Sequence, residues 1–124
     1  MVNRLLIVDD STIIRRSIQR TLGDGRFSEI CTASNGAEAL RVFKSHPAEF
    51  VTMDITMPEI DGISCVETML QLRPDTRILV ISALADRATA IQAMTKGAEG
   101  FLLKPFTPEE LCEAVDDLLS DSLA

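Results

Sequence analysis

Polar and charged side chains occur at four places where an apolar run of this 124-residue chain stops. They are Asp9-Asp10 after residues 5–8, Asp54 after residues 50–53, Ser82 after residues 78–81, and Lys104 after residues 101–103. Carboxylates, a hydroxyl and an ammonium brought together would form a site for phosphoryl transfer, with Asp54 as the nucleophile. A divalent cation and Lys104 would neutralise oxygens of the transferred group, and Ser82 could donate to the same oxygens.

The acidic residues of this set predict a metal ion. Asp9, Asp10 and Asp54 within about 5 Å of one another would repel by roughly several kcal/mol at an effective dielectric constant near 20. Lys104 offsets one negative charge, so the remainder requires raised pKa values or a cation. The candidate ligand atoms are all oxygens, with no His or Cys among them, and Mg²⁺ suits a site of few carboxylates that meets a phosphate.

Each of these residues also has an ordinary structural interpretation. Asp9-Asp10 is a good helix cap, Asp54 a turn former, Ser82 a loop hydroxyl and Lys104 a solvated charge before a proline. Taken together, the ordinary interpretations require polar or charged residues to stand at four strand ends by coincidence. The sequence therefore favours a shared site.

Composition limits the class of protein. The chain is 46% hydrophobic and 25% charged, with a net charge of −7, which predicts one globular domain over residues 1–124. The negative charge and the absence of Trp and Tyr disfavour direct nucleic-acid binding. No apolar run reaches the roughly 18 residues of a membrane span, and no signal peptide precedes the first strand, so we expect a cytoplasmic protein without membrane insertion. Cys31, Cys65 and Cys112 lack metal-binding spacing and are expected to be buried, reduced thiols.

The elements that must position the site alternate between strand and helix. Strands are predicted at residues 4–8, 30–33, 50–53, 78–81 and 100–103, and helices at 12–22, 37–46, 62–73, 86–96 and from 107 onward. Strict alternation with apolar strands predicts an α/β fold: a doubly wound parallel sheet with helices on both faces. In such a sheet the carboxyl ends of the strands meet at one edge, where ligands bind.

Local signals give further expectations. Thr107 to Glu110 has the pattern of a capping box, with a Thr cap, Pro at the first helical position and Glu at the third. Asp86 is expected to cap the fourth helix, with Ile91 and Met94 as its core contacts and Gly97 at its end. Residues 82–85 are expected to form a loop.

The sequence closely resembles the receiver domain of two-component response regulators, in its single-domain CheY-like form. The motifs that carry the resemblance are Asp9-Asp10, Asp54 followed by Met57-Pro58, Asp61-Gly62, Ser82-Ala83, and Lys104-Pro105-Phe106. The resemblance covers almost the whole chain. It implies the flavodoxin-like strand order 2-1-3-4-5, an order for which CheY is itself a standard example.

The resemblance also implies roles for the site residues. Asp54 would accept a phosphoryl group from a phosphohistidine of a sensor kinase. Asp10 and Asp54 would bind Mg²⁺ directly, Asp9 through water and Thr56 through its backbone carbonyl. Backbone N–H groups near Thr56 and Ala83 would hold phosphoryl oxygens, and a cis peptide would join Lys104 to Pro105. The domain would hydrolyse its own acyl phosphate but would not be an enzyme acting on a separate substrate.

Activation in the family is a population shift. The phosphoryl group would draw the Ser82 hydroxyl inward, and Phe101 would turn into the vacated space, changing the face made by the fourth helix, fifth strand and fifth helix for a target protein. Phe101 stands where Tyr is common, and Thr56 and Leu84 stand where polar groups are often found. We therefore expect autodephosphorylation to be slower than in receivers with polar groups at both places.

The predicted output is chemotaxis-type protein contact, by a monomer that could dimerise on activation. The alternatives are the receiver part of a longer transcriptional or enzymatic regulator, a receiver that is not phosphorylated, and a haloacid dehalogenase-type phosphatase. That phosphatase would need Asp two residues after its nucleophile, where this chain has Thr56. The complete acidic set argues against an unphosphorylated receiver.

Overall fold

Every predicted strand lies in one parallel sheet. The structure, a computed structural model, describes residues 3–55, 62–83 and 86–121. The strands are β1 (Arg4–Val8), β2 (Glu29–Ala33), β3 (Phe50–Asp54), β4 (Arg77–Ala83) and β5 (Gly100–Lys104). The helices are α1 (Thr12–Leu22), α2 (Gly36–Ser45), α3 (Gly62–Leu72), α4 (Arg87–Thr95) and α5 (Pro108–Asp121). The strand order is β2-β1-β3-β4-β5, which confirms the doubly wound, flavodoxin-like prediction.

The sheet separates two apolar clusters of buried residues. Alternate residues of the central strands face opposite sides, so Leu6 and Val51 belong to one cluster while Leu5 and Phe50 belong to the other. Helices α2, α3 and α4 cover the first side, and α1 and α5 cover the second. Strands β1 and β3 are buried almost throughout, as expected for central parallel strands whose apolar runs do not alternate with polar residues.

Strand β4 is longer than predicted, and the expectation that residue 82 begins a loop is wrong. Ser82 and Ala83 are the last two residues of β4, opposite Leu103 and Lys104 of β5. The parallel ladder to β5 keeps this segment extended beyond the end of the apolar run. Asp54 and Lys104 likewise end their strands instead of following them.

Helix α4 contacts the sheet through small residues. Ala90 and Ala93 are fully buried, whereas Ile91 is 51% exposed and Met94 packs only partly against the core. The prediction that Ile91 is a core residue is therefore wrong. Asp86 stands at the N-cap, but its side chain makes no capping hydrogen bond.

Other local predictions are confirmed. The Glu110 N–H donates to Thr107 Oγ1 (3.1 Å) and the Thr107 N–H donates to Glu110 Oε1 (3.0 Å), which is a complete capping box. Gly97 follows α4 with a positive φ of 117°, and the Lys104–Pro105 peptide is cis.

The cysteine prediction holds only in part. All three cysteines are free. Cys65 is buried, whereas Cys31 and Cys112 are half-exposed. In the described ranges, no helix combines the length and the apolar composition needed to cross a lipid bilayer.

Candidate functional site

The carboxyl ends of β1, β3 and β5 bring three charged side chains into contact. Lys104 Nζ donates to Asp9 Oδ2 (3.3 Å) and to Asp54 Oδ2 (3.4 Å). The side chains of Asp9 and Asp54 are each 1% exposed, and that of Lys104 is 20% exposed. The carboxyl ends of parallel strands lie at one edge of the sheet, so residues as far apart in sequence as 9 and 104 meet there, although β4 lies between β3 and β5.

Asp10 completes an acidic cluster with the two buried carboxylates. One carboxylate oxygen from each of Asp9, Asp10 and Asp54 lies within 4.8 Å of the others, and Asp10 is exposed to solvent. Three oxygen donors, one of them open to water, fit a hard divalent cation that keeps part of its hydration shell. This cluster could therefore hold a metal ion.

The pKa of Asp9 reflects first its burial and then the hydrogen bonds and charges around it. Burial raises the pKa of the Asp9 carboxyl above its ordinary value, and repulsion from Asp54 adds to the rise. A hydrogen bond from the Ser11 N–H and the charge of Lys104 act in the opposite direction without cancelling the rise. A further positive charge near these oxygens would relieve the repulsion.

The turn between β1 and α1 is tightly hydrogen bonded. The Ser11 N–H donates to Asp9 Oδ1 (2.9 Å), and Ser11 Oγ accepts the Ile14 N–H (3.3 Å) as the N-cap of α1. Arg15 Nη1 donates to the backbone oxygen of Asp9 (2.7 Å). The sequence-based predictions do not include Arg15. The pattern that could have indicated it is a basic residue one helical turn after Ser11, the N-cap that follows Asp9-Asp10.

Ser82 is fully buried at the end of β4. It follows Ile81, the register partner of Asp54, and its Oγ donates to the backbone oxygen of Ala83 (2.9 Å). Strand alternation places Ser82 and Phe101 on the α4 side of the sheet, while Asp9, Asp54 and Lys104 lie on the side of α1 and α5. Phe101 is 37% exposed.

Some predicted site residues cannot be placed. Thr56, proposed to offer a carbonyl to the metal, and Leu84, considered for its effect on hydrolysis, lie outside the described residues. The motif residues Met57, Pro58 and Asp61 also lie outside them. Ala83 is described and lies opposite Lys104 in the sheet.

Topology and site geometry together define a class of protein: a flavodoxin-like α/β domain with an acidic cluster and a lysine at the carboxyl ends of its strands. The family model for the response regulator receiver domain matches residues 5–116. The chain belongs to this family of two-component signalling domains.

Individual relatives agree with this assignment. The chain is 38% identical over 120 residues to the chemotaxis protein CheY of Bacillus subtilis (strain 168), covering 97% of this chain and 100% of that protein. It is also similar to a receiver domain protein from Methanospirillum hungatei JF-1, with a TM-score of 0.89 and 26% identity over 98% of this chain and 96% of that one.

The family also includes much longer proteins. The chain is 37% identical over 110 residues to the regulatory protein AtoC of Escherichia coli (strain K12), but these residues span only 24% of that relative against 89% of this chain. Receiver domains of this kind thus occur both alone and joined to further segments.

Proposed function

We propose that this chain is a phosphorylation-activated switch whose Asp54 accepts a phosphoryl group from a phosphohistidine of a sensor kinase. The observation that carries the proposal is the contact of Lys104 with both Asp54 and Asp9, beside the exposed carboxylate of Asp10. Asp54 is buried with the ammonium of Lys104 beside it, and its carboxylate belongs to the acidic cluster that could hold a metal ion.

The transfer step is a nucleophilic displacement at phosphorus. An oxygen of Asp54 attacks the phosphorus of phosphohistidine, the P–N bond breaks as the new O–P bond forms, and the imidazole leaves with its electron pair and takes up a proton. Asp10, Asp54 and the Thr56 carbonyl would hold Mg²⁺ directly and Asp9 through water. The ion would supply charge neutralisation for the phosphoryl oxygens.

Lys104 and Ser82 can exchange partners when the phosphoryl group arrives. The ammonium, now between two carboxylates, would move to a phosphoryl oxygen, where backbone N–H groups near Thr56 and Ala83 would also bind. The Ser82 hydroxyl, now bonded to the Ala83 carbonyl, would turn to the same group. These bonds exist only in the phosphorylated state, so they can bias a two-state equilibrium by roughly 1–3 kcal/mol.

A target protein would bind the face formed by α4, β5 and α5 differently in the two states. Ile91 and Phe101 leave apolar surface exposed there, at 51% and 37%. Inward rotation of Phe101 would remove part of that surface and open space between α4 and β5. Similarity to the chemotaxis protein CheY, over 97% of this chain and 100% of that protein, supports a chemotaxis-type output.

A second candidate is the receiver part of a longer regulator, favoured by the similarity to AtoC. In that case the same face would contact a covalently attached output segment. The full-length gene distinguishes the two candidates. In either case we expect slow autodephosphorylation, and Leu84→Glu should accelerate it; an unchanged rate would contradict this expectation.

Intact-mass spectrometry after incubation with acetyl phosphate tests the central proposal. With Mg²⁺ present, the protein should gain the mass of one phosphoryl group, which hydroxylamine then removes because an acyl phosphate is labile to it. Asp54→Asn should gain nothing, and the exposed Asp75→Asn should behave as wild type. Equal labelling of Asp54→Asn and wild type would overturn the assignment of Asp54.

A further inference from the structure

Arg15 contacts the turn that carries the acidic residues, although the proposed phosphoryl transfer does not use it. Arg15 is half-buried and is the fourth residue of α1. Nη1 donates to the backbone oxygen of Asp9 at 2.7 Å, and Nη2 donates to Thr12 Oγ1 at 3.1 Å. One rigid, planar group therefore joins the end of β1 to the first residue of α1.

The Asp9 carbonyl is the part of this turn that determines the direction of Asp10. The C=O of Asp9 and the N–H of Asp10 belong to one planar peptide unit, so holding the oxygen holds the plane from which Asp10 departs. The Asp9 N–H donates to the Ala33 oxygen (3.1 Å), and the Asp9 carboxylate accepts the Ser11 N–H (2.9 Å). Lys104 Nζ donates to the other carboxylate oxygen (3.3 Å), and Arg15 holds the backbone carbonyl.

Asp10 depends on this support more than its neighbours do. Asp9 and Asp54 are buried and bonded to Lys104. Asp10 is exposed, and in the part of the chain that the structure describes its carboxylate has no hydrogen bond or ion pair. Its position relative to the other two carboxylates therefore depends on the backbone of the turn and on its own side-chain rotamer.

We propose that Arg15 is a positioning residue for the cation site, fixing the Asp9–Asp10 peptide so that Asp10 faces Asp54. This inference rests on the proposed function, because it assumes that Mg²⁺ binds the cluster. If Arg15 is removed, its positioning role and its charge predict opposite changes in the affinity for the cation. Removing a positive charge near carboxylates strengthens cation binding by Coulomb's law alone, whereas losing the support of Asp10 weakens it.

Arg16 is a matched control on the same helix. It is the next residue, carries the same charge and is exposed, and among the described residues its side chain has no hydrogen bond or ion pair. Replacing Arg15 or Arg16 by Lys keeps the charge. Only Arg15→Lys loses the paired hydrogen bonds to the Asp9 carbonyl and to Thr12, because a single ammonium cannot reproduce the planar geometry of a guanidinium.

Isothermal titration of MgCl₂ into the metal-free protein tests the inference. Arg15→Gln should weaken Mg²⁺ binding by roughly tenfold, in the range seen for groups that orient metal ligands. Arg15→Lys should weaken it by a smaller factor, while Arg16→Gln and Arg16→Lys should match wild type or bind slightly more tightly. If Arg15→Gln does not fold, the charge-conserving Arg15→Lys decides the question.

The possible results separate the two proposals. Equal affinity of Arg15→Lys and wild type, or tighter binding by both Gln variants, would overturn the positioning role and leave Asp54 as phosphoacceptor untouched. Failure of wild type to bind Mg²⁺, or to be labelled by acetyl phosphate, would overturn the proposed function and this inference with it.

Discussion

The ammonium of Lys104 compensates two buried carboxylates at once. Asp9 and Asp54 are almost completely removed from water, and Lys104 lies within 3.4 Å of an oxygen of each. Burying a charge without a partner costs several kcal/mol, so this contact makes the site compatible with a folded protein. In the proposed phosphorylated state, the same ammonium would exchange one of these carboxylates for a phosphoryl oxygen.

Lys104→Met should therefore destabilise the metal-free protein. The expected loss is about 1–3 kcal/mol, less than for a fully buried pair because the lysine is partly exposed. Added Mg²⁺ should recover more stability in this variant than in wild type, because the ion takes over the neutralisation. Urea unfolding with EDTA and with Mg²⁺ measures both effects. The exposed Lys96→Met is the control, and equal unfolding free energies for the two variants would refute the argument.

Cys31 allows a second prediction at the residue scale. Burial raises the pKa of the Cys31 thiol, and Glu29, whose Oε1 accepts a hydrogen bond from Sγ at 3.6 Å, raises it further. The reactive thiolate therefore forms only at higher pH than for an ordinary thiol. Glu29→Gln should make alkylation of Cys31 by iodoacetamide faster at a given pH and shift the rate profile to lower pH. Peptide mass spectrometry resolves Cys31 from Cys65 and Cys112, and Glu113→Gln should leave the profile in place.

The sequence predicts the site residues to different extents. Asp9, Asp10, Asp54 and Lys104 can be found because each stands where an apolar run stops, and parallel strands bring such positions together. Arg15 cannot be found in this way, because a long side chain reaches its partner by a path that periodicity does not encode.

At the scale of elements, α4 stands apart from the other helices. Its buried residues are Ala90 and Ala93, so it contributes little apolar area to the core. Helix α1 buries Ile18 and Leu22 instead. Elements with few buried apolar contacts are the ones that open or shift at low free-energy cost. A small rearrangement of α4 is therefore compatible with an otherwise rigid domain.

Ile91→Ala and Ile18→Ala should show this difference. Ile91→Ala should change the free energy of unfolding by no more than about 0.5 kcal/mol, because Ile91 is half-exposed and Ala favours helix. Ile18→Ala, at a fully buried position, should cost roughly 2–5 kcal/mol. Urea unfolding followed by circular dichroism measures both. A large loss in Ile91→Ala would show that α4 is anchored through that side chain.

The sequence predicts the existence and type of all ten elements but not all their limits. Residues 82 and 83 extend β4 because a neighbouring strand continues to pair with them, and pairing between distant segments leaves no local signal. Helical periodicity predicts Ile91 in the core, because it locates an apolar stripe without showing which face of the helix lies on the sheet. The strand order follows from the family resemblance, since alternation of strands and helices alone allows several orders.

The whole molecule carries a net charge of −7, and the acidic cluster concentrates part of it at one edge of the sheet. Ligands that bind only the folded state stabilise it by mass action. Mg²⁺ at ten times its dissociation constant should therefore raise the free energy of unfolding by about 1.4 kcal/mol. Thermal unfolding in MgCl₂ and in NaCl of equal ionic strength separates site binding from general screening. Asp10→Asn should lose most of the Mg²⁺ effect, and equal stabilisation by the two salts would contradict a specific site.

The central sheet has a consequence for how this domain can diversify. Asp9, Asp54 and Lys104 face the layer of α1 and α5, whereas Ser82 and Phe101 face the layer that includes α4. Under the proposed function, mutations beside Asp54 and Lys104 would alter the phosphoryl site, whereas mutations of Ile91 or Phe101 would alter the face that contacts a target. If that function holds, descendants of this chain could change the lifetime of the phosphorylated state and the choice of target through different sets of residues.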